Sequence, residues 1–165
     1  MLNLKNLHEN RPIAVIGGGP TREADYTRIE YPRRLIQVGC NHHRVFNIVP
    51  DYVVHMDYPG HVPALSRYLR SLPKSTKIGA IRPPADFIFD KGTRALIGSG
   101  NVGIVAAWFA LRITTGPVYL CGFDCYQGVL KEHAREPLIR KWDEFLSPSR
   151  VKITPEFNRE LKYAS

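Results

Sequence analysis

Short apolar runs that stop abruptly in glycine or polar residues limit the fold of this chain more than any other feature. Pro12-Ile13-Ala14-Val15-Ile16 ends in Gly17-Gly18-Gly19, and Leu35-Ile36-Gln37-Val38 ends in Gly39-Cys40-Asn41. Tyr52-Val53-Val54-His55-Met56 stops at Asp57, and Pro117-Val118-Tyr119-Leu120-Cys121 runs into Gly122-Phe123-Asp124. A strand covered on both faces reads as such a run, without the alternation of a strand that has one wet face. Residues 76–81 form a weaker run of the same kind, and residues 150–153 suit a last edge strand.

Helical patterns fall between the runs. Residues 61–72 place Leu65, Tyr68, Leu69 and Leu72 at spacings of three and four, with Arg67 and Arg70 facing elsewhere, which predicts an amphipathic helix. Residues 101–113 are apolar on nearly every side, which predicts a central, buried helix. Residues 132–146 predict a third, with Pro137 confined to its first turn or a kink. Strands alternating with helices imply right-handed crossovers and a mostly parallel sheet with helices on both faces. The expected fold is α/β, a single Rossmann-like nucleotide-binding domain over residues 1–165.

Length and composition agree with that reading. The 165 residues suit one domain, and 44% hydrophobic with 23% charged residues is ordinary for a folded chain. No apolar run approaches the roughly 18–20 residues needed to cross a bilayer. The first residues lack the basic-then-apolar order of a secretory signal, and the three cysteines cannot all pair within the chain. A cytoplasmic location with buried free thiols is the expectation. The net charge of +8 calls for an anionic partner. The basic residues are dispersed and no aromatic-basic motif accompanies them, so a nucleic-acid partner has no motif behind it. Oligomerisation is left open.

In a doubly wound sheet the ligand lies beyond the carboxyl ends of the strands, near the point where strand order reverses. The strand-end residues are therefore the candidate site. Gly17-Gly18-Gly19-Pro20-Thr21 lets a ligand approach the backbone, with N–H groups available to an anion; a tight strand-to-helix turn without a ligand is the alternative. The loop is no dinucleotide fingerprint, because Arg22 stands where the third glycine belongs, and no Gly-Lys-Ser/Thr follows for a P-loop. Asn41-His42-His43 follows the second strand, where extended chain would point the two histidines to opposite faces. Ser99-Gly100-Asn101 opens the buried helix, where Ser99 serves as an N-cap or the helix end receives a phosphate or carboxylate. Asp124 can hold a ribose hydroxyl, bind a metal or act as a base, and Asp57, with His55 on the same strand face, invites the same readings. His42, His43, His61 and His133 are acid–base candidates by residue type. No spacing typical of a structural metal site occurs, which leaves Mg²⁺ carried on substrate phosphates.

In their order, Val15-Ile16-Gly17-Gly18-Gly19-Pro20-Thr21, Cys40-Asn41, Ser99-Gly100 and residues 118–126 resemble bacterial sialyltransferases of the Campylobacter type. They look equally like the related DUF115 proteins, which include flagellin glycosyltransferase-like and archaeal 6-hydroxymethylpterin diphosphokinase-like chains. The resemblance implies a nucleotide-binding transferase. It would set Gly17, Gly18, Gly19 and Pro20 under the donor phosphate and Asn41 against the donor. Ser99 and Gly100 would touch the base or carboxylate, and Asp124 and Tyr126 the ribose or phosphate. Two positions depart from the pattern: Gly18 and Asp57 stand where the sialyltransferases carry asparagine. An aspartate at the second suits metal–phosphate chemistry. The chain is also short for the sialyltransferase lid that supplies the catalytic histidine, and His133 is the one histidine after the fifth strand.

The leading expectation is a transferase using a nucleotide or nucleotide-sugar donor, most like a glycosyltransferase, with His133 or His42 deprotonating the acceptor. A Mg²⁺-dependent pyrophosphokinase, with Asp57 and Asp124 on the metal, is one alternative. A non-catalytic nucleotide-binding or sequestering module and a nucleic-acid-binding or modifying protein are the others.

Overall fold

The computed structural model describes residues 5–30, 35–89, 102–123 and 151–152. They form a seven-stranded sheet: β1 (Ile13–Ile16), β2 (Ile36–Cys40), β3 (Tyr52–His55), β4 (Lys77–Ala80), β5 (Phe87–Ile88), β6 (Val118–Cys121) and β7 (Val151–Lys152). The helices are α1 (Arg22–Thr27), α2 (Pro63–Ser71) and α3 (Val102–Ile113). Every neighbouring pair of strands is parallel. The order is β5-β4-β3-β2-β1-β6-β7. The chain thus steps outward from β1 to one edge, then returns to β1's other side as β6. This is the doubly wound, Rossmann-like α/β arrangement, and its order reverses between β1 and β6.

Six of the seven strands fall on the apolar runs; five are trimmed by a residue or two, and β2 instead runs on through Gly39 and Cys40, which the sequence assigns to the following loop. The exception is β5, a two-residue strand whose Ile88 is exposed, too short for a periodic signal. Helix α1 also lacks a sequence signal, since Tyr26 is the one large apolar side chain in its six residues. Ser99-Gly100-Asn101 and the expected helix over residues 132–146 lie outside the described residues.

The two faces of the sheet are packed differently. Ile13 and Val15 of β1, Ile36, Val38 and Cys40 of β2 and Tyr52 and Val54 of β3 point to the face that holds α3. That helix buries Ile104, Val105, Ala106, Ala107, Phe109, Ala110 and Ile113, and its small alanines let the backbone approach the strands. Phe109 is fully buried, with ring centroids 5.2 Å from Phe87 and 5.3 Å from Tyr52, so it ties the helix to the β3–β5 half of the sheet. Truncating such a ring to alanine costs about 3–5 kcal/mol. The opposite face collects Ala14, Ile16 and Cys121 with Tyr26 of α1 and with Ile29, Leu35 and Val45 from the connections. Helix α2 starts with Pro63, buries Leu65, leaves Arg67 and Arg70 exposed, and stops two residues before Pro73.

Candidate functional site

The strand reversal puts the exits of β1 and β6 side by side. The Gly17 N–H donates to the Cys121 carbonyl at 2.7 Å, and the Gly19 N–H to the Gly122 carbonyl at 2.9 Å. A Cβ on Gly17 would stand 2.5 Å from the Gly122 oxygen, and Gly122 itself has φ +70°. The glycines are therefore required by this close approach. Two of the three glycine amides expected to face an anion instead stitch β1 to β6. Sequence alone could not show this, because it depends on a strand roughly 100 residues away.

Asp25 completes the junction. Its Oδ2 accepts from the Thr21 hydroxyl at 2.8 Å and from the Gly122 N–H at 2.9 Å. Arg28 approaches its Oδ1 at 3.8 Å. The carboxylate is buried and sits at the start of α1, where the helix dipole favours negative charge. The protein's own anion thus occupies that position. Asp25 went unremarked in the sequence because a lone acid four residues after a threonine carries no motif.

Positive charge gathers on the neighbouring exit of β2. Arg22 Nε donates to the Arg44 carbonyl at 3.2 Å, and Arg22 Nη1 to the Gly19 carbonyl at 3.4 Å. The chain between them turns at Asn41, whose φ of 55° is left-handed. His42 and His43 consequently do not part to opposite faces, as extended chain would require; their ring centroids lie 4.6 Å apart. Burial, reinforced by His42 and Arg22, pushes the His43 pKa down to about 4, so His43 is neutral at pH 7. His42 is exposed, as are Pro20 and His61, the latter edge-on to Tyr58. Arg44 also faces the α2 residue Tyr68, whose pKa burial raises and Arg44 lowers. The Tyr68 hydroxyl is buried with no hydrogen-bond partner among the described residues.

The ends of β2 and β3 hold two more such atoms. The Asn41 N–H donates to the Val54 carbonyl at 2.8 Å, yet the Asn41 Oδ1 is buried without a partner among the described residues. His55 is 1% exposed, and its Nδ1 lies 3.0 Å from the Asp57 carbonyl oxygen. Since a carbonyl only accepts, Nδ1 carries the proton and Nε2 is a bare lone pair. Nε2, too, is buried and has no partner among the described residues. Burial lowers the His55 pKa, against the opposing pull of Asp57. The Asp57 side chain itself is exposed at the rim.

Of the expected site residues, Gly17, Gly18, Gly19, Pro20, Thr21, Asn41, His42 and Asp57 lie at the carboxyl edge of the sheet. Ser99, Gly100, Asn101, Asp124, Tyr126 and His133 lie outside the described residues. Arg22, Arg44 and Tyr68 were absent from the expected set, and His55 entered it only as a companion of Asp57. Cys40 and Cys121 are free and buried. Burial drives the Cys40 thiol to about 12, and burial together with Asp25 raises Cys121, so neither is a thiolate at pH 7. No group of three metal-ligating side chains occurs among the described residues. No helix among them is long and apolar enough to cross a membrane.

No family model, curated protein or solved structure matches the chain.

Proposed function

We propose that the protein is a transferase that binds a nucleotide-activated donor along the carboxyl edge of the sheet, most like a glycosyltransferase. The observation that carries this reading is the Arg22 guanidinium, which bridges the main-chain carbonyls of Gly19 and Arg44 across the adjoining exits of β1 and β2. An arginine beside a strand-reversal point, with Arg44 on the loop it bonds to, suits a phosphate or diphosphate, because arginine presents a planar fork of donors to such oxygens. The neutrality of His43 leaves these arginines as the fixed charges of that corner. The order of the glycine, asparagine and strand-end motifs in the sequence supports a nucleotide as the bearer of the phosphate. A donor held by its diphosphate would leave with negative charge, which the same guanidinium groups stabilise.

Calorimetry with inorganic pyrophosphate, CMP, CTP, ATP, GTP and nucleotide sugars, each with and without Mg²⁺, tests the reading. Salt-sensitive binding of pyrophosphate and of at least one nucleotide is expected, weakened about tenfold by Arg44→Ala. Failure of every one of these ligands to bind would end it. Binding that requires Mg²⁺ and transfers pyrophosphate from ATP would replace glycosyl transfer with the pyrophosphokinase reaction. Tight binding without turnover would make the protein a nucleotide-sequestering module.

A further inference from the structure

We infer that His55 Nε2 and Asn41 Oδ1 form a paired acceptor site for the vicinal hydroxyl groups of the ligand, from the ribose of the nucleotide or from the sugar. This inference rests on the proposal that a nucleotide-activated donor binds at the carboxyl edge.

The two residues adjoin at the ends of β2 and β3. Cys40 pairs with Val54; Asn41 follows Cys40 as the left-handed turn residue, His55 follows Val54 within β3, and the Asn41 N–H bonds to the Val54 carbonyl. Both orphan atoms are acceptors of hydrogen bonds. The Asp57 carbonyl fixes the proton of His55 on Nδ1, which leaves Nε2 with a lone pair and nothing to donate. Asn41 Oδ1 is a carbonyl oxygen and likewise can only accept.

A buried acceptor without a donor is costly, and native structures seldom keep one without a purpose. Two of them at the adjoining ends of β2 and β3 call for a ligand that brings two hydrogens. A phosphate brings none at neutral pH, and a metal ion would want an anionic ligand among its donors. Adjacent hydroxyl groups supply one O–H to each acceptor. The arrangement also divides labour along the edge: arginines for the phosphate at β1–β2, neutral acceptors for hydroxyls at β2–β3.

The test uses the full chain and separates the two sources of hydroxyl groups. Calorimetry compares AMP, CMP, GMP and UMP with their 2′,3′-dideoxy forms, and separately adds glucose or N-acetylglucosamine. Histidine side-chain nitrogen spectra follow His55 Nε2, whose resonance moves upfield when a bare imidazole nitrogen accepts a hydrogen bond.

For a ribose ligand, a ribonucleotide binds about tenfold tighter than its dideoxy form and shifts Nε2. For a sugar ligand, the dideoxy change has no effect and a monosaccharide shifts Nε2. In the His55→Phe variant, which keeps a ring but removes the lone pair, the discriminating ligand loses its advantage while pyrophosphate binding persists. The nitrogen spectrum of the unaltered protein decides the matter if that variant does not fold.

The inference is overturned if Nε2 is already shifted without ligand, which would mean a structural water. It is also overturned if neither the dideoxy change nor a monosaccharide has any effect while pyrophosphate still binds. If pyrophosphate and all nucleotides fail to bind, the transferase proposal falls first and this inference with it.

Discussion

The Asp25 carboxylate accepts a hydrogen bond from the Gly122 N–H at 2.9 Å, joining the first turn of α1 to the exit of β6 across 97 positions of chain. The same oxygen receives the Thr21 hydroxyl. Asp25→Ala leaves the buried Gly122 N–H without this acceptor, at about 1–3 kcal/mol. Urea unfolding should show a lower midpoint with an unchanged slope, and Asp25→Asn, which keeps one acceptor oxygen, should lose less. Equal stability of Asp25→Ala and the unaltered protein would remove the junction from the account.

The same crossing predicts a severe response to side chains at Gly17 and Gly122. Alanine at Gly122 pairs a left-handed backbone, which costs an L-residue about 1–2 kcal/mol, with a Cβ only 2.6 Å from the Cβ of Arg22. Alanine at Gly17 meets backbone at 2.5 Å, which no rotamer change relieves. Both variants should melt at lower temperature than the unaltered protein in a thermal scan. Gly122→Ala should also displace Arg22 and weaken pyrophosphate binding beyond what its loss of stability explains.

Legibility differed between the sheet and the site for physical reasons. Continuous apolar runs mark strands covered on both faces, so β1, β2, β3 and β6 stand out locally. Helix α3 stands out because it is apolar on nearly all sides. Strand β5 and helix α1 are stabilised by their neighbours rather than by their own pattern, and short elements carry little periodic signal. The carboxyl edge could be found from the strand ends. The roles within it could not, because Gly17 and Gly19 are engaged by β6 and His55 is fixed by a backbone carbonyl. Hydrogen-bond partners of that kind are set by tertiary contact and leave no spacing to read.

Three histidines should make the protein less stable in mild acid. The pKa values of His8, His43 and His55 all lie below the ordinary value of 6.5, in each case chiefly through burial. Between pH 6.5 and the depressed folded values the unfolded chain binds protons that the native chain does not. Stability therefore rises with pH in that window, is complete above about 6.5, and is lost as pH falls toward the folded values. Urea midpoints at pH 7.5, 6.5 and 5.5 should decline in that order, above the range where carboxylates titrate. His43→Gln should flatten the decline, because His43 falls furthest, to about 4. A midpoint independent of pH in this window would contradict the assignment of neutral, buried imidazoles.

Arg44 offers a readout that separates electrostatics from folding. Burial raises the Tyr68 pKa, and the Arg44 guanidinium holds it back by favouring the phenolate. Arg44→Ala should therefore move the Tyr68 titration upward, read by ultraviolet difference absorbance against a Tyr68→Phe control. Arg44 is exposed, and its main-chain carbonyl, which receives Arg22, survives the substitution. The melting temperature should change little, since exposed charges contribute little to stability. If the same variant also loses about tenfold in pyrophosphate affinity, with a shallower dependence on salt, then one guanidinium faces both the Tyr68 hydroxyl and the bound anion. A shifted Tyr68 with unchanged pyrophosphate affinity would instead confine Arg44 to the packing of α2 and move the anion to another part of the edge.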